Sequence, residues 1–158
     1  MLITTAQVLA VLAVLANGIV YGTDACAAII MRSAYRKVDD EAMTKLAGWG
    51  HYYGDRRMPF AGAGGMIATV LTLVVAALAG VTAAAVAAGV ALVALLAWMG
   101  FYLRVAKPVN EAQKAAARSG VIPADARALQ DKWDSILGFR VGLQGLAVAA
   151  LCTALALL

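Results

Sequence analysis

From Phe60 to Leu103 the chain carries no Asp, Glu, Lys, Arg or His, and that run decides the solvent in which the protein folds. A membrane span takes about 20 residues at a rise of ~1.5 Å each. The run is therefore long enough for two helices, and Ala79-Gly80 near its middle divides them. Two further apolar stretches, Leu2 to Met31 and Ile136 to Leu158, complete a set of four. A mean hydropathy of +0.83, with 63% hydrophobic and 14% charged residues, lies outside the composition of soluble domains. The expectation is an all-α, four-transmembrane-helix bundle forming a single integral membrane domain, with spans of about 2–31, 60–79, 81–103 and 134–158. The first stretch reads as an uncleaved span. Nothing basic precedes its apolar region, which is longer than the roughly 7–15 residues of a signal core.

Charge orients the bundle. Of 13 Lys and Arg residues, six lie between Arg32 and Arg57, six between Arg104 and Lys132, and the last is Arg140. Basic loops stay on the cytoplasmic side, which places both loops in the cytoplasm and both termini outside, in an inner membrane of bacterial type. The pI near 9.3 then reports topology, and no nucleic-acid-binding motif accompanies it. Cys26 and Cys152 fall roughly 25 Å apart in depth, too far for a disulfide. The first loop predicts a short amphipathic helix on the membrane surface, capped by Asp39 or Asp40 and ending at Gly54, with Ala42, Leu46, Trp49 and Tyr53 on its apolar face. His51, the one histidine, falls opposite that face and is expected to meet water or lipid headgroups. In the second loop an Ala-rich helical turn follows Asn110 to Gln113, with a break at Gly120 and a restart after Pro123.

Two helices carry small and polar stripes side by side. In the first, Gly18, Gly22 and Ala25 form one and Asn17, Tyr21 and Asp24 the other; in the last, Gly138, Gly142, Gly145 and Ala149 oppose Trp133, Leu137, Arg140 and Gln144. Small residues let backbones approach in lipid, where no water drives association, and polar ones turn inward. The glycine faces are thus expected to pack against another helix or another subunit. A lone charge at the bilayer centre costs about 2.5–3.5 kcal/mol, so Asp24 and Arg140, at similar depth, are expected to pair. That pair reads equally as a structural lock of helix register or as the centre of a polar vestibule that Asn17, Tyr21 and Gln144 share. A ligand-sized cavity beside the pair would separate the two readings. Asn110, with Gln113 three residues on, has the spacing of a capping box, and Trp133 suits a membrane interface. With one histidine and no Cys/His cluster, a bis-histidine haem or a zinc site within one chain is disfavoured; no metal or cofactor is expected. P-loop, dinucleotide and nucleophile-elbow motifs are absent.

Pro108 to Asn110 just after the third span, then a linker of some twenty residues, then Trp133 and Arg140 opening the fourth, resembles the anthrone-oxygenase-like family of small four-helix integral membrane proteins. The resemblance covers the whole architecture and rests mainly on Asn110, Trp133 and Arg140. It implies cofactor-independent oxidation of a lipophilic phenolic or polycyclic substrate with O2, of the kind found in polyketide pathways. On that reading Asp24 and Arg140 are the catalytic residues, Asp24 taking a proton and Arg140 stabilising an enolate. Asn17, Tyr21, Asn110, Trp133 and Gln144 then bind substrate. The alternative is a non-catalytic scaffold or accessory subunit that associates, as a homodimer or larger oligomer, through its glycine faces. In either case the partners are membrane lipids and small lipophilic molecules.

Overall fold

The computed structural model describes Met1–Leu158 and consists of four helices: α1 (Leu2–Tyr35), α2 (Asp40–Leu78), α3 (Thr82–Ser119) and α4 (Ala126–Leu157). Each is long and apolar enough to cross a membrane. They form an antiparallel ring in which α1 and α3 each pack against both α2 and α4. The corners follow local chemistry. Asp39 caps α2, its Oδ1 accepting from the Ala42 N–H at 2.7 Å. Gly80 and Gly120, at φ 76° and 72°, make the left-handed turns that end α2 and α3.

The bundle places small residues inside and large apolar ones outside. Its centre is built from Ala13, Ala68, Ala91, Ala94, Ala147 and Ala150 with Leu95 and Leu151, whereas Leu15, Ile67, Val93 and Phe139 face outward. Helices in lipid approach through small side chains in just this way. Two glycines carry the tightest approaches. A Cβ on Gly48 would lie 2.3 Å from the Gln113 carbonyl oxygen, and one on Gly65 would lie 2.9 Å from the Asn17 side chain. The expected glycine face of α4 behaves differently. Only Gly145 meets a neighbour, the Tyr21 ring at 3.3 Å, while a Cβ on Gly138 or Gly142 would meet nothing within 4 Å.

The separate surface helix of the first loop does not form. α2 runs unbroken from Asp40 through Gly54 and Pro59 to Leu78, so the face of its first half is set by the bundle. The expected apolar stripe stays outside, with Leu46, Trp49 and Tyr53 55%, 41% and 50% exposed, while the opposite face, Met43, Thr44, Ala47 and Gly48, is buried in the bundle and not turned to water. An interior glycine costs a helix only about 1 kcal/mol, which the contact of α2 with α3 readily offsets. Arg127 fastens the short α1–α2 connection by donating to the Asp40 carboxylate and the Tyr35 carbonyl, each at 2.6 Å, and to the Val38 carbonyl.

α3 likewise continues past Leu103 and Pro108, so Asn110 lies inside a helix and caps nothing. Pro108 has no N–H for the carbonyl four residues back and crowds it; a π-helical turn over Tyr102–Ala106 directly precedes it and absorbs the misfit. A second π turn, Ala27–Met31, interrupts α1 just beyond Asp24, and α4 has an irregular turn at Ile136, one helical turn before Arg140. These three breaks, with Pro59 in α2, flank the same polar layer of the bundle.

Candidate functional site

Arg140 on α4 donates from Nη2 to Asp24 Oδ1 on α1 at 2.8 Å, and both side chains are buried. The second carboxylate oxygen, Oδ2, accepts from Trp98 Nε1 on α3 at 3.0 Å. An indole N–H inside an apolar helix needs an acceptor, and Asp24 supplies it. The Arg140 guanidinium carbon lies 5.4 Å from the Trp98 ring centroid and 5.2 Å from that of Trp133. Both are within cation–π range, an interaction that gains strength when the cation is desolvated.

From Trp98 and Trp133 the contacts continue until they close. Trp98 stacks on Tyr102 with planes 9° apart and centroids at 5.9 Å. The Tyr102 hydroxyl donates to Asp55 Oδ1 on α2 at 3.3 Å, and Asn110 Nδ2 donates to the same oxygen at 3.1 Å. Asn110 Oδ1 accepts from Trp133 Nε1 at 3.0 Å, and the Trp133 face returns to Arg140. Every helix contributes to this ring. Lys114 holds the other oxygen of Asp55 at 2.7 Å. A shorter chain lies beside it: Gln113 donates to Gln130 at 3.0 Å, Gln130 to Asp134 at 2.9 Å, and Arg32 lies 3.6 Å from Asp134. Arg140 is the least satisfied member of the ring, with a single hydrogen bond, that to Asp24. Arg140 Nε is buried and has no hydrogen-bond partner.

A cavity of about 840 Å³ borders the ring, within the range of small-molecule sites. Its polar floor includes Asp24, Arg140, Trp98, Trp133, Asn110, Asp55 and His51; Val20, Met58, Met66 and Met99 form apolar walls. Exposed lining residues, Thr23 and Cys26 on α1 and Pro59 on α2, mark its mouth between those two helices. Five glycines of α1 and α2 create the space. A Cβ on Gly18, Gly22, Gly50, Gly54 or Gly62 would meet nothing within 4 Å, and all five border the cavity. The GxxxG of α1 therefore keeps a wall clear of side chains and makes no close helix contact. Methionine, flexible and polarisable, suits walls that must fit varied apolar shapes.

The structure brings Asp24, Arg140, Asn110 and Trp133 to one place and leaves three expected site residues outside it. Asn17, Tyr21 and Gln144 do not border the cavity. Asn17 donates to the Ala13 carbonyl at 2.9 Å and to Thr69 Oγ1 at 3.4 Å, a packing role against Gly65. Tyr21 packs on Gly145, and Gln144 is buried toward the bundle centre with Oε1 unpartnered. Sharing a stripe with Asp24 or Arg140 was insufficient: at the same depth on α1 the cavity is lined by Gly18, Ile19, Val20 and Gly22, while Asn17 turns to Thr69 and Gly65 and Tyr21 to Gly145. His51 corrects the expectation in the other direction. It faces the cavity, its ring 5.5 Å from Trp133, because α2 turns inward the face expected to meet water.

Asp55, Trp98 and Tyr102 were not singled out by the sequence. The signal for Trp98 and Tyr102 was available: two aromatic residues with polar hydrogens, four apart at the end of an apolar span, require acceptors. No group of three or more His, Cys, Asp or Glu side chains is disposed to share a metal ion. The chain matches no family model, and no curated protein or solved structure is significantly similar to it.

Proposed function

We propose that this protein is a membrane-embedded enzyme that takes a lipophilic phenolic or polycyclic substrate from the bilayer between α1 and α2 and oxidises it with O2 at the cytoplasmic end of the bundle. The observation that carries this reading is the Arg140 guanidinium, anchored by Asp24 and bordering the floor of a glycine- and methionine-walled cavity. Such a floor suits an oxygen that gains negative charge, since fixed donors in a water-poor site stabilise developing anions strongly. Asp24 already accepts from Arg140 and Trp98, which makes it a poor base and a good anchor for the guanidinium. His51, on the same floor and 5.5 Å from the Trp133 ring, holds an imidazole that can accept a proton without breaking the Asp24–Arg140 pair. It removes a proton from the activated C–H of an anthrone-type substrate, Arg140 stabilises the enolate, and the carbanion carbon adds O2. The resulting peroxide anion recovers the proton from His51, and loss of water from the hydroperoxide leaves the quinone carbonyl. One O2 is consumed and one water released for each CH2 converted to C=O.

Anthrone in micelles with dissolved O2 provides the test, followed as O2 uptake and anthraquinone formation. The purified protein should exceed the rate of protein-free micelles, and His51→Gln and Gly22→Leu should each bring the rate back to that of the micelles while remaining folded. Equal rates with and without protein would sink the proposal. A second reading, an accessory subunit joining other chains through α4, draws on Gly138 and Gly142, whose Cβ positions stand open beside the exposed Phe139.

A further inference from the structure

On the other side of the polar ring, between α2 and α3, lies a second recess of about 470 Å³. Four cations border it, Arg56 on α2 and Lys107, Lys114 and Arg118 on α3, against two carboxylates, Asp55 and Glu111. Lys114 pairs with both carboxylates, at 2.7 and 2.8 Å. Arg56, Lys107 and Arg118 form no ion pair, and Arg56 instead rests on the Tyr52 ring with its guanidinium carbon 3.7 Å from the centroid. The recess therefore holds a surplus of positive charge that nothing in the chain neutralises.

What lies next to these cations along each helix identifies the occupant. Four residues deeper in α2 than Arg56 stands Phe60, 83% exposed; four residues deeper in α3 than Lys107 stands Leu103, 51% exposed. Residues four apart share a helix face. On both walls of the seam a cation is thus followed, one turn toward the middle of the bundle, by a large apolar side chain open to lipid. The exposed Trp49 and Tyr53 lie on the other side of Arg56, toward the basic end, as aromatic residues do at headgroup level.

We propose that this recess binds one anionic diacyl phospholipid, its phosphate among Arg56, Lys107 and Arg118 and its acyl chains along Phe60 and Leu103. Basic pockets between helices on the cytoplasmic side bind anionic headgroups by the same charge logic. A free phosphate ion would use the cations and leave the apolar half of the seam unused. The site is independent of the reaction proposed above, although Asp55 and Tyr102 border both spaces.

Native mass spectrometry of the purified chain in micelles, titrated with phosphatidylglycerol or with phosphatidylcholine of the same acyl chains, tests the proposal. One phosphatidylglycerol should bind roughly tenfold more tightly than phosphatidylcholine, and Arg56→Gln with Lys107→Gln should remove that preference. Arg118→Gln alone should weaken it. Arg36→Gln with Lys37→Gln, which deletes the same charge outside the recess, should leave it intact, and excess inorganic phosphate should not displace the lipid. Equal binding of the two lipids would overturn the site. So would equal loss in the Arg36/Lys37 variant, or displacement by phosphate.

Discussion

Arg140 has an ionic partner in Asp24, two aromatic faces and a buried Nε–H without a partner, so its substitution affects more than one interaction. Removing one member of a buried ion pair leaves the other charged and unpaired, which typically costs about 3–5 kcal/mol, whereas removing both together costs far less. Arg140→Gln and Asp24→Asn should each lower the unfolding free energy in detergent by about that amount, and the double variant should recover most of the loss. Additive losses would mean that the pair contributes no coupling. The pair was legible in the sequence because charges are rare in spans and must find each other at matching depth. Asp55 was not, because Gly54 reads as a helix end and its neighbour then reads as a loop carboxylate. Only the continuity of α2 carries Asp55 inward to Tyr102, Asn110 and Lys114.

Among the elements, α2 shows how a stripe can be read correctly while the burial of the face opposite it goes unread. The stripe Leu46, Trp49, Tyr53 is genuine, but a bundle in lipid buries its small residues and turns large apolar ones outward, so the same stripe that would seat a soluble helix on its core faces away here. The polar and small side, from Thr44 through Gly48 to His51 and Asp55, becomes the inner wall. Glycines must be sorted by what surrounds them, which the sequence does not reveal. Gly48→Ala forces a methyl into the Gln113 carbonyl and the Ala117 Cβ, at 2.3 and 2.5 Å, and should destabilise the α2–α3 contact by about 1–3 kcal/mol or more. Gly142→Ala meets open space and should be neutral or gain up to about 1 kcal/mol from helix propensity. Thermal unfolding of both variants in one detergent decides the matter. Comparable losses would return the close contact to the α4 stripe.

For the whole molecule, length and charge together set its position in a membrane. The helices contain 34, 39, 38 and 32 residues, or about 48–58 Å at ~1.5 Å per residue, against a hydrocarbon core of about 30 Å. Each must therefore project beyond the core, and the basic loops show at which end. Four spans could be read from hydropathy alone, but the projecting halves could not: Asp40–Tyr53 and Lys107–Ser119 are polar enough to read as loops, and only their packing on one another makes them continuations of spans. Asp24 lies 22 residues from the start of α1, about 33 Å along its axis, which sets the Asp24–Arg140 pair at the margin of the core nearer the basic loops. The charge bias of the loops predicts that both lie in the cytoplasm. With Cys26 and Cys152, both exposed, replaced by Ser, a cysteine at Ala34 should react with a membrane-impermeant maleimide only after cells are permeabilised. One at Thr4 should react in intact cells. The reverse pattern would invert the bundle and move the cavity floor, with Arg140 and His51, to the outer side of the membrane.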